Sequence, residues 1–138
     1  MFLMELNWLA VLAGFLVFFV TGAVWFGPKT FYPAWVKALG QDPAVQIEHT
    51  PPGVLFGLTA VGGLVQVIAM ASVLGFVAES VSPLQGAWVG FLLSSSLVAA
   101  GSLSHRLFAG QGLKVWIIEV GGDVVGLTLA GLVFGLIA

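Results

Sequence analysis

Two acidic residues with helical spacing are the strongest candidates for chemistry in this sequence. Glu119 and Asp123 lie four residues apart within a long apolar stretch, so a helix places both carboxyl groups on one face. A carboxyl group inside a membrane is costly unless it is paired, protonated or hydrated by a cavity. Two interpretations stay open. The two acids form a site for a proton, a cation or an amine, or they are structural and bond neighbouring helices or Arg106 and Lys114.

Further polar residues fall at a similar depth in other apolar stretches. Gln66 lies near the middle of the second stretch and Ser95, within the run 94–96, lies near the middle of the third. With Asp123 and Glu119 they form the predicted intramembrane polar site. The alternative is ordinary hydrogen bonding between helices, and for the serines we favour bonds to carbonyl groups of their own helix.

Basic and aromatic residues are predicted to lie at the lipid headgroups. Arg106 has the geometry to bind a lipid phosphate with two hydrogen bonds or to neutralise Glu119. His105, Lys114 and Trp35 are predicted to lie at the same level. For His105 the alternatives are a solvated side chain and a proton relay.

No pattern in the sequence predicts catalysis. The chain has no cysteine, which excludes disulfides and thiolate metal sites. We find no His and Glu spacing suited to a metal, no Ser-His-acid pattern and no glycine-rich phosphate loop. The four Lys and Arg residues are too few for a nucleic-acid footprint. We therefore expect a protein that is not an enzyme, with no metal, no cofactor and no nucleic-acid partner.

The composition predicts the surroundings in which these residues act. Of the 138 residues 59% are hydrophobic and only 7% are charged, and the mean hydropathy is +1.12. Soluble domains carry about 25% charged residues. The sequence therefore predicts an all-α, integral membrane four-helix bundle that forms a single domain over residues 1–138, in the inner (cytoplasmic) membrane.

Four apolar stretches supply the predicted membrane-spanning helices, over residues 6–26, 53–77, 84–103 and 115–138. Each is close to or above the ~20 residues that cross the hydrocarbon layer. The aromatic and lightly basic segment 31–39 is too short to span, so we predict a short interfacial helix between the first and second spans. A simple anchor is favoured for it over a substrate gate.

Charge distribution predicts the orientation. All four basic residues lie in two loops on one side: Lys29, Lys37, Arg106 and Lys114. The opposite side holds both termini and the 79–83 turn, with no Lys or Arg. Because basic loops stay in the cytoplasm, we expect both termini outside the cell.

Glycines at four-residue spacing predict where helices pack. Such pairs occur at 53 and 57, at 86 and 90, at 122 and 126 and at 131 and 135. Small residues let helix backbones approach closely. The fourth span has two such pairs, so it is predicted to be the most buried helix, with its glycine face of Gly122, Gly126 and Gly131 packed against other helices.

Two stretches resemble a family of small bacterial membrane proteins known as domain of unknown function 1761. The first contains Asn7-Trp8, then residues 22–28 with the order Gly-Ala-Val-Trp-Phe-Gly-Pro, then the Trp-containing segment 34–40. The second runs from His105 to Gly110 and into residues 116–121. The sequence departs from the family at Gln111, where a basic residue is usual, and at Gly122, where the family has tyrosine after glycine. The resemblance implies a fold and no activity.

The resulting functional hypothesis is a small non-enzymatic membrane protein. It is an accessory subunit, or a bundle that binds lipid or another hydrophobic ligand. The rival hypothesis is a small oligomeric transporter or channel that couples to protons through Asp123 and Glu119. Membrane lipids are the expected partners, with a homo-oligomer or a larger membrane complex as further possibilities.

Overall fold

A computed structural model of the chain describes residues 6–27, 30–38, 52–77, 80–110 and 112–137. It is all-α, with five helices in the described part of the chain. Their bounds are α1 Trp8–Trp25, α2 Tyr32–Ala38, α3 Pro52–Val77, α4 Pro83–Phe108 and α5 Gly112–Ile137. Lys29, most of the predicted loop before α3, and Ala138 lie outside the described residues.

Four of these helices are long and apolar enough to cross a membrane, namely α1, α3, α4 and α5, with mean hydropathies between 1.5 and 2.2. The short α2 lies between the first and second of them. The chain is thus a membrane protein with four candidate spans, and the predicted fold class is confirmed. Its orientation across the membrane stays a prediction.

Local chemistry explains where the helices begin and turn. The side chain of Asn7 accepts a hydrogen bond from the amide of Ala10 at 3.1 Å and caps α1. Ser82 and Gln85 form a reciprocal capping box at the start of α4, with Pro83 in the first turn. Gly110 and Gly112 adopt φ values of +76° and +85°, which glycine tolerates best, and they reverse the chain between α4 and α5.

The third span is longer than the sequence predicts. Helix α4 continues past the expected end at 103 to Phe108, so His105 and Arg106 lie in its last helical turn instead of in a loop. Polar side chains alone therefore did not mark the end of this helix. Its middle, Ser94–Ala99, is π-helical, and the indole nitrogen of Trp116 donates to the carbonyl oxygen of Ala99 there at 2.7 Å.

Helix α5 is the central element of the bundle. It packs most extensively against α4 and α1, and a larger share of it is buried than of any other span. The contact with α4 depends on glycine, because an added Cβ atom at Gly131 would overlap the backbone of Gly86, and one at Gly90 would overlap that of Leu127. These two helices therefore touch backbone to backbone.

The glycines predicted to form one buried face of α5 are buried, but they do not share one face. Gly122, Gly126 and Gly131 are all buried. A Cβ atom at Gly126 would lie 2.6 Å from the ring of Phe18, and one at Gly122 would lie 2.8 Å from the ring of Trp25. Gly131 meets α4 instead, because nine residues place it about 180° around the helix from Gly122. The buried glycines of α5 therefore lie on two sides of the helix, one toward α1 and one toward α4.

Helix α3 is attached at one end only. Its second half contributes Val67, Met70, Ala71 and Leu74 to a core shared with α1 and α5. In its first half, by contrast, none of the described side chains between Gly53 and Gly62 is buried. No described residue lies within 4 Å of a Cβ atom added at Gly53 or Gly57, so this pair does not join two of the described helices, although its spacing matches that of the pairs that do.

The close contact between α4 and α5 predicts that Gly131→Ala is destabilising. The added methyl group meets the backbone of Gly86, which cannot rotate away as a side chain can, so we expect a loss of about 1–3 kcal/mol. Gly57→Ala is the matched control. It adds the same methyl group in open space and should be neutral or stabilising by up to about 1 kcal/mol. Unfolding in mixed micelles measures both, and equal losses would contradict the packing described.

Candidate functional site

The carboxyl group of Glu119 is held by donors from two other helices. The guanidinium Nε of Arg106, in the last turn of α4, donates to Oε2 at 2.5 Å. The indole Nε1 of Trp35, in α2, donates to Oε1 at 2.9 Å. Only 18% of the Glu119 side chain is exposed, against 36% of that of Arg106. Both oxygens of this acid are therefore engaged, as the structural interpretation of the sequence expects.

The elements around Glu119 explain why these groups meet. The tight turn after α4 makes α5 run back along it, so that the last turn of α4 lies beside the first turns of α5. Helix α2 packs on the same part of α5. Arg106, Trp35 and Glu119 therefore meet at the end of the bundle that carries the basic residues, which we call the basic end.

An aromatic cluster fixes α2 in this position. The Trp25 and Phe31 rings lie 4.4 Å apart, and the Phe26 and Trp35 rings lie 5.7 Å apart with an edge-on geometry. Tyr32 adds a third contact, with its ring 6.0 Å from that of Trp35. Trp35 is half-buried rather than free at the surface, and its N–H is used inside the protein.

Trp25 is a positioning residue that the sequence did not reveal. Its indole nitrogen donates to the carbonyl oxygen of Ile118 at 2.7 Å, one residue before Glu119. The ring lies against Gly121 and Gly122, where added Cβ atoms would be 2.7 Å and 2.8 Å from it. The adjacent glycines 121 and 122 were a signal for this contact, because two neighbouring glycines in a helix leave room for one large aromatic ring.

Asp123 lies one turn deeper on the same helix. At 1.5 Å per residue it is about 16 Å along the axis from Gly112, near the middle of α5. It is half-buried, and its charged neighbours are Glu119 and Arg106. Over the residues that the structure describes, Asp123 makes no hydrogen bond. The two acids thus differ sharply, since one is engaged at both oxygens and the other is not engaged at either.

The predicted polar layer is not joined by hydrogen bonds. Ser95 Oγ donates to the carbonyl oxygen of Phe91 at 2.7 Å, and Ser94 and Ser96 likewise donate to carbonyls of their own helix. The preferred interpretation of the serines is confirmed. Gln66 is different, because its Oε1 is buried and has no partner within the described ranges.

The headgroup position predicted for His105, Arg106 and Lys114 stays a prediction. His105 and Lys114 are exposed, on either side of the turn between α4 and α5. Arg106 joins the deeper site through Glu119 instead of being wholly at the surface. Among the described residues no group of three or more His, Asp or Glu side chains is placed to hold a metal ion.

Comparison with known proteins assigns the chain to a family. The family model described as "Protein of unknown function (DUF1761)" matches residues 9–135, so the chain belongs to this family. No curated protein and no solved structure matches it significantly. The predicted resemblance is confirmed, and the match covers every site residue discussed above.

The ion pair of Arg106 and Glu119 should be energetically coupled. We expect Arg106→Gln alone to destabilise the protein more than the double variant with Glu119→Gln, because the single change leaves a largely buried carboxylate without its cation. The coupling should be about 0.5–3 kcal/mol, the range for residues in direct contact. A double-mutant cycle of unfolding in mixed micelles measures it. Strictly additive effects would show that the pair contributes nothing.

Proposed function

We propose that this member of the DUF1761 family is a non-enzymatic inner-membrane protein that binds the phosphate headgroup of an anionic lipid at its basic end. Arg106 is the binding residue, and the accessory role expected from the sequence would be exercised through this lipid contact. The proposal rests on the hydrogen bonding of the Arg106 guanidinium. Its Nε is bound to Glu119, and its terminal nitrogens are not bound to any described residue.

The geometry of Arg106 suits a phosphate. Its Nε is bound to Glu119, so the planar group is held in one orientation before a ligand arrives. In the described part of the chain its terminal nitrogens make no hydrogen bond, and 36% of the side chain is exposed. A guanidinium presents two parallel N–H groups to a phosphate, a match that a lysine ammonium lacks.

Neighbouring charges favour an anion at this position. Arg106 and Glu119 together carry no net charge, so the pair alone does not attract one. Lys37 of α2 and Lys114 of α5 are exposed at the same end of the bundle and supply net positive charge. Each basic residue near an anionic membrane surface contributes about 1 kcal/mol of attraction.

The surroundings of the turn favour a lipid over a dissolved phosphate ion. Leu107, Phe108 and Leu113 flank Arg106 and the turn, and all three are exposed, Phe108 to 93%. Apolar side chains beside a headgroup site are suited to contact acyl chains. If the basic end faces the cytoplasm, as the positive-inside rule predicts, it lies in a leaflet that carries anionic lipid.

Native mass spectrometry of the protein in mild detergent tests this proposal. Phosphatidylglycerol, phosphatidylcholine and inorganic phosphate are titrated separately. The parent should prefer phosphatidylglycerol, and the double variant Arg106→Gln with Glu119→Gln should lose roughly tenfold of that preference, because a hydrogen bond to a charged group contributes about 1.5 kcal/mol. The double variant is used because it leaves no unpaired carboxylate.

Lys37→Gln is the control for diffuse charge. It removes one net positive charge at the same end and keeps the guanidinium, whereas the double variant removes the guanidinium and leaves the net charge unchanged. It should weaken the preference less than the double variant does. Equal losses would reduce the site to a diffuse basic surface and overturn the role of Arg106. Binding of inorganic phosphate as strong as that of the lipid would instead show that the ligand is a free anion.

A second candidate function, an oligomeric proton-coupled transporter, is favoured by Asp123. This acid lies near the middle of α5, and no hydrogen bond to it is seen among the described residues. Glu119 is already engaged by Trp35 and Arg106, so Asp123 would be the group that takes up and releases the proton. Four helices enclose little space, so such a transporter would need more than one copy.

Asp123→Asn separates the two functions. It keeps the shape and the hydrogen-bonding capacity of the side chain but cannot titrate. In liposomes that contain a pH-sensitive dye, a transporter should move protons when amines or cations are added, and the variant should not. Glu119→Gln is the control and should reduce flux less than Asp123→Asn. If the parent moves no protons and Asp123→Asn matches it in assembly and stability, the transport function is excluded for the substrates tried.

A further inference from the structure

The amide of Gln66 is a polar group without a partner at the centre of a membrane span. It lies about 21 Å along α3 from Pro52, close to the middle of this 26-residue helix. Its Oε1 is buried without a hydrogen bond, and the described residues provide no hydrogen bond to the rest of the amide. Lipid tails cannot supply one, and an unpaired amide in an apolar medium costs several kcal/mol.

One face of α3 around Gln66 has the residue spacing of a surface that pairs with another helix, and we call this face the seam. Gly62, Gln66, Ala69 and Val73 follow one another at intervals of four, three and four residues and lie along one face of α3. Gly62 and Ala69 are exposed, Val73 is 36% exposed and Gln66 is half-buried. The space around Gly62 is open, since an added Cβ atom there would meet nothing within 4 Å. Small residues on both sides of the amide let a second backbone come close to it.

We infer that this seam of α3 pairs with the same seam of a second copy of the chain, with the two Gln66 amides hydrogen-bonded to each other. An amide carries both a donor and an acceptor, so the amide nitrogen of one copy can donate to the amide oxygen of the other. Oε1 is the buried atom of the amide within one chain, so the amide of one copy rotates about its terminal side-chain bond to bring the oxygen to the seam.

The side chains of the seam favour a second copy of the chain as the partner. The four seam residues carry no formal charge, so they do not repel an identical surface. The only hydrogen-bonding side chain among them is self-complementary. None of the described residues between 53 and 62 of α3 is buried, so a partner can approach this part without displacing another described helix of the same chain.

The absence of cysteine in the chain makes disulfide cross-linking a direct test. Val73→Cys places a thiol in the seam. Gly75→Cys places one two residues further along the helix and turned about 160° away, on another exposed part of α3. In oxidised native membranes we expect Val73→Cys to form a dimer of twice the chain mass and Gly75→Cys to form little. Equal yields would indicate random collision and overturn the inference.

The role of the amide is tested in the Val73→Cys background. Gln66→Leu should lower the dimer yield roughly threefold or more, the factor that corresponds to one interhelical hydrogen bond. Gln66→Asn retains an amide and should keep more of the dimer than Gln66→Leu. Thermal unfolding of each variant distinguishes a lost dimer from a misfolded chain, since a folded Gln66→Leu protein should keep a cooperative unfolding transition and a misfolded one should not. An unchanged yield with Gln66→Leu, or a cross-linked product of a different mass, would overturn the pairing of two copies.

Discussion

The close approach of α5 to α4 and α1 is the constraint on which the other features of this protein depend. Apolar helices in lipid gain nothing from exchanging lipid tails for leucine, so they associate where backbones can touch. Gly131 lies against Gly86 on one side, and Gly126 receives the ring of Phe18 on the other. This contact fixes the direction of α5. The start of α5 is thereby held beside the end of α4, which is the condition for Glu119 to meet Arg106.

Tryptophan side chains connect that packed core to the basic end. Trp25, Trp35 and Trp116 each donate an indole N–H to a defined acceptor, and all three bonds involve α5 as donor or acceptor. A tryptophan at the membrane interface is usually considered an anchor to lipid. Here the rings also fill space between helices, and the N–H groups donate to oxygen atoms on neighbouring helices. The aromatic belt and the polar contacts of the bundle are therefore formed partly by the same residues.

Much of the fold was predictable because its determinants are local. Runs of about 20 apolar residues give the spans, and glycines at four-residue spacing gave the buried face of α5 with Gly122 and Gly126. The bond from Trp35 to Glu119 joins residues 84 positions apart, and no local pattern encodes it. Spacing also failed to distinguish Gly53 from the packed glycines, because the partner helix decides whether such a pair is used. The π-helical segment of α4 had no signal that we recognised.

The polar residues of the spans differ more in how many of their hydrogen bonds are formed than in how deep they lie in the membrane. Glu119 is engaged at both oxygens and therefore acts within the fold. Arg106 is engaged at one edge of its guanidinium and can bind a further group at the other. Asp123 and Gln66 have no hydrogen bond over the described ranges. In water such groups would need no explanation, but in lipid each one requires a proton, a water molecule, a ligand or another protein surface. The partners of this protein should therefore be sought at Arg106, Asp123 and Gln66, where the fold leaves polar groups unsatisfied.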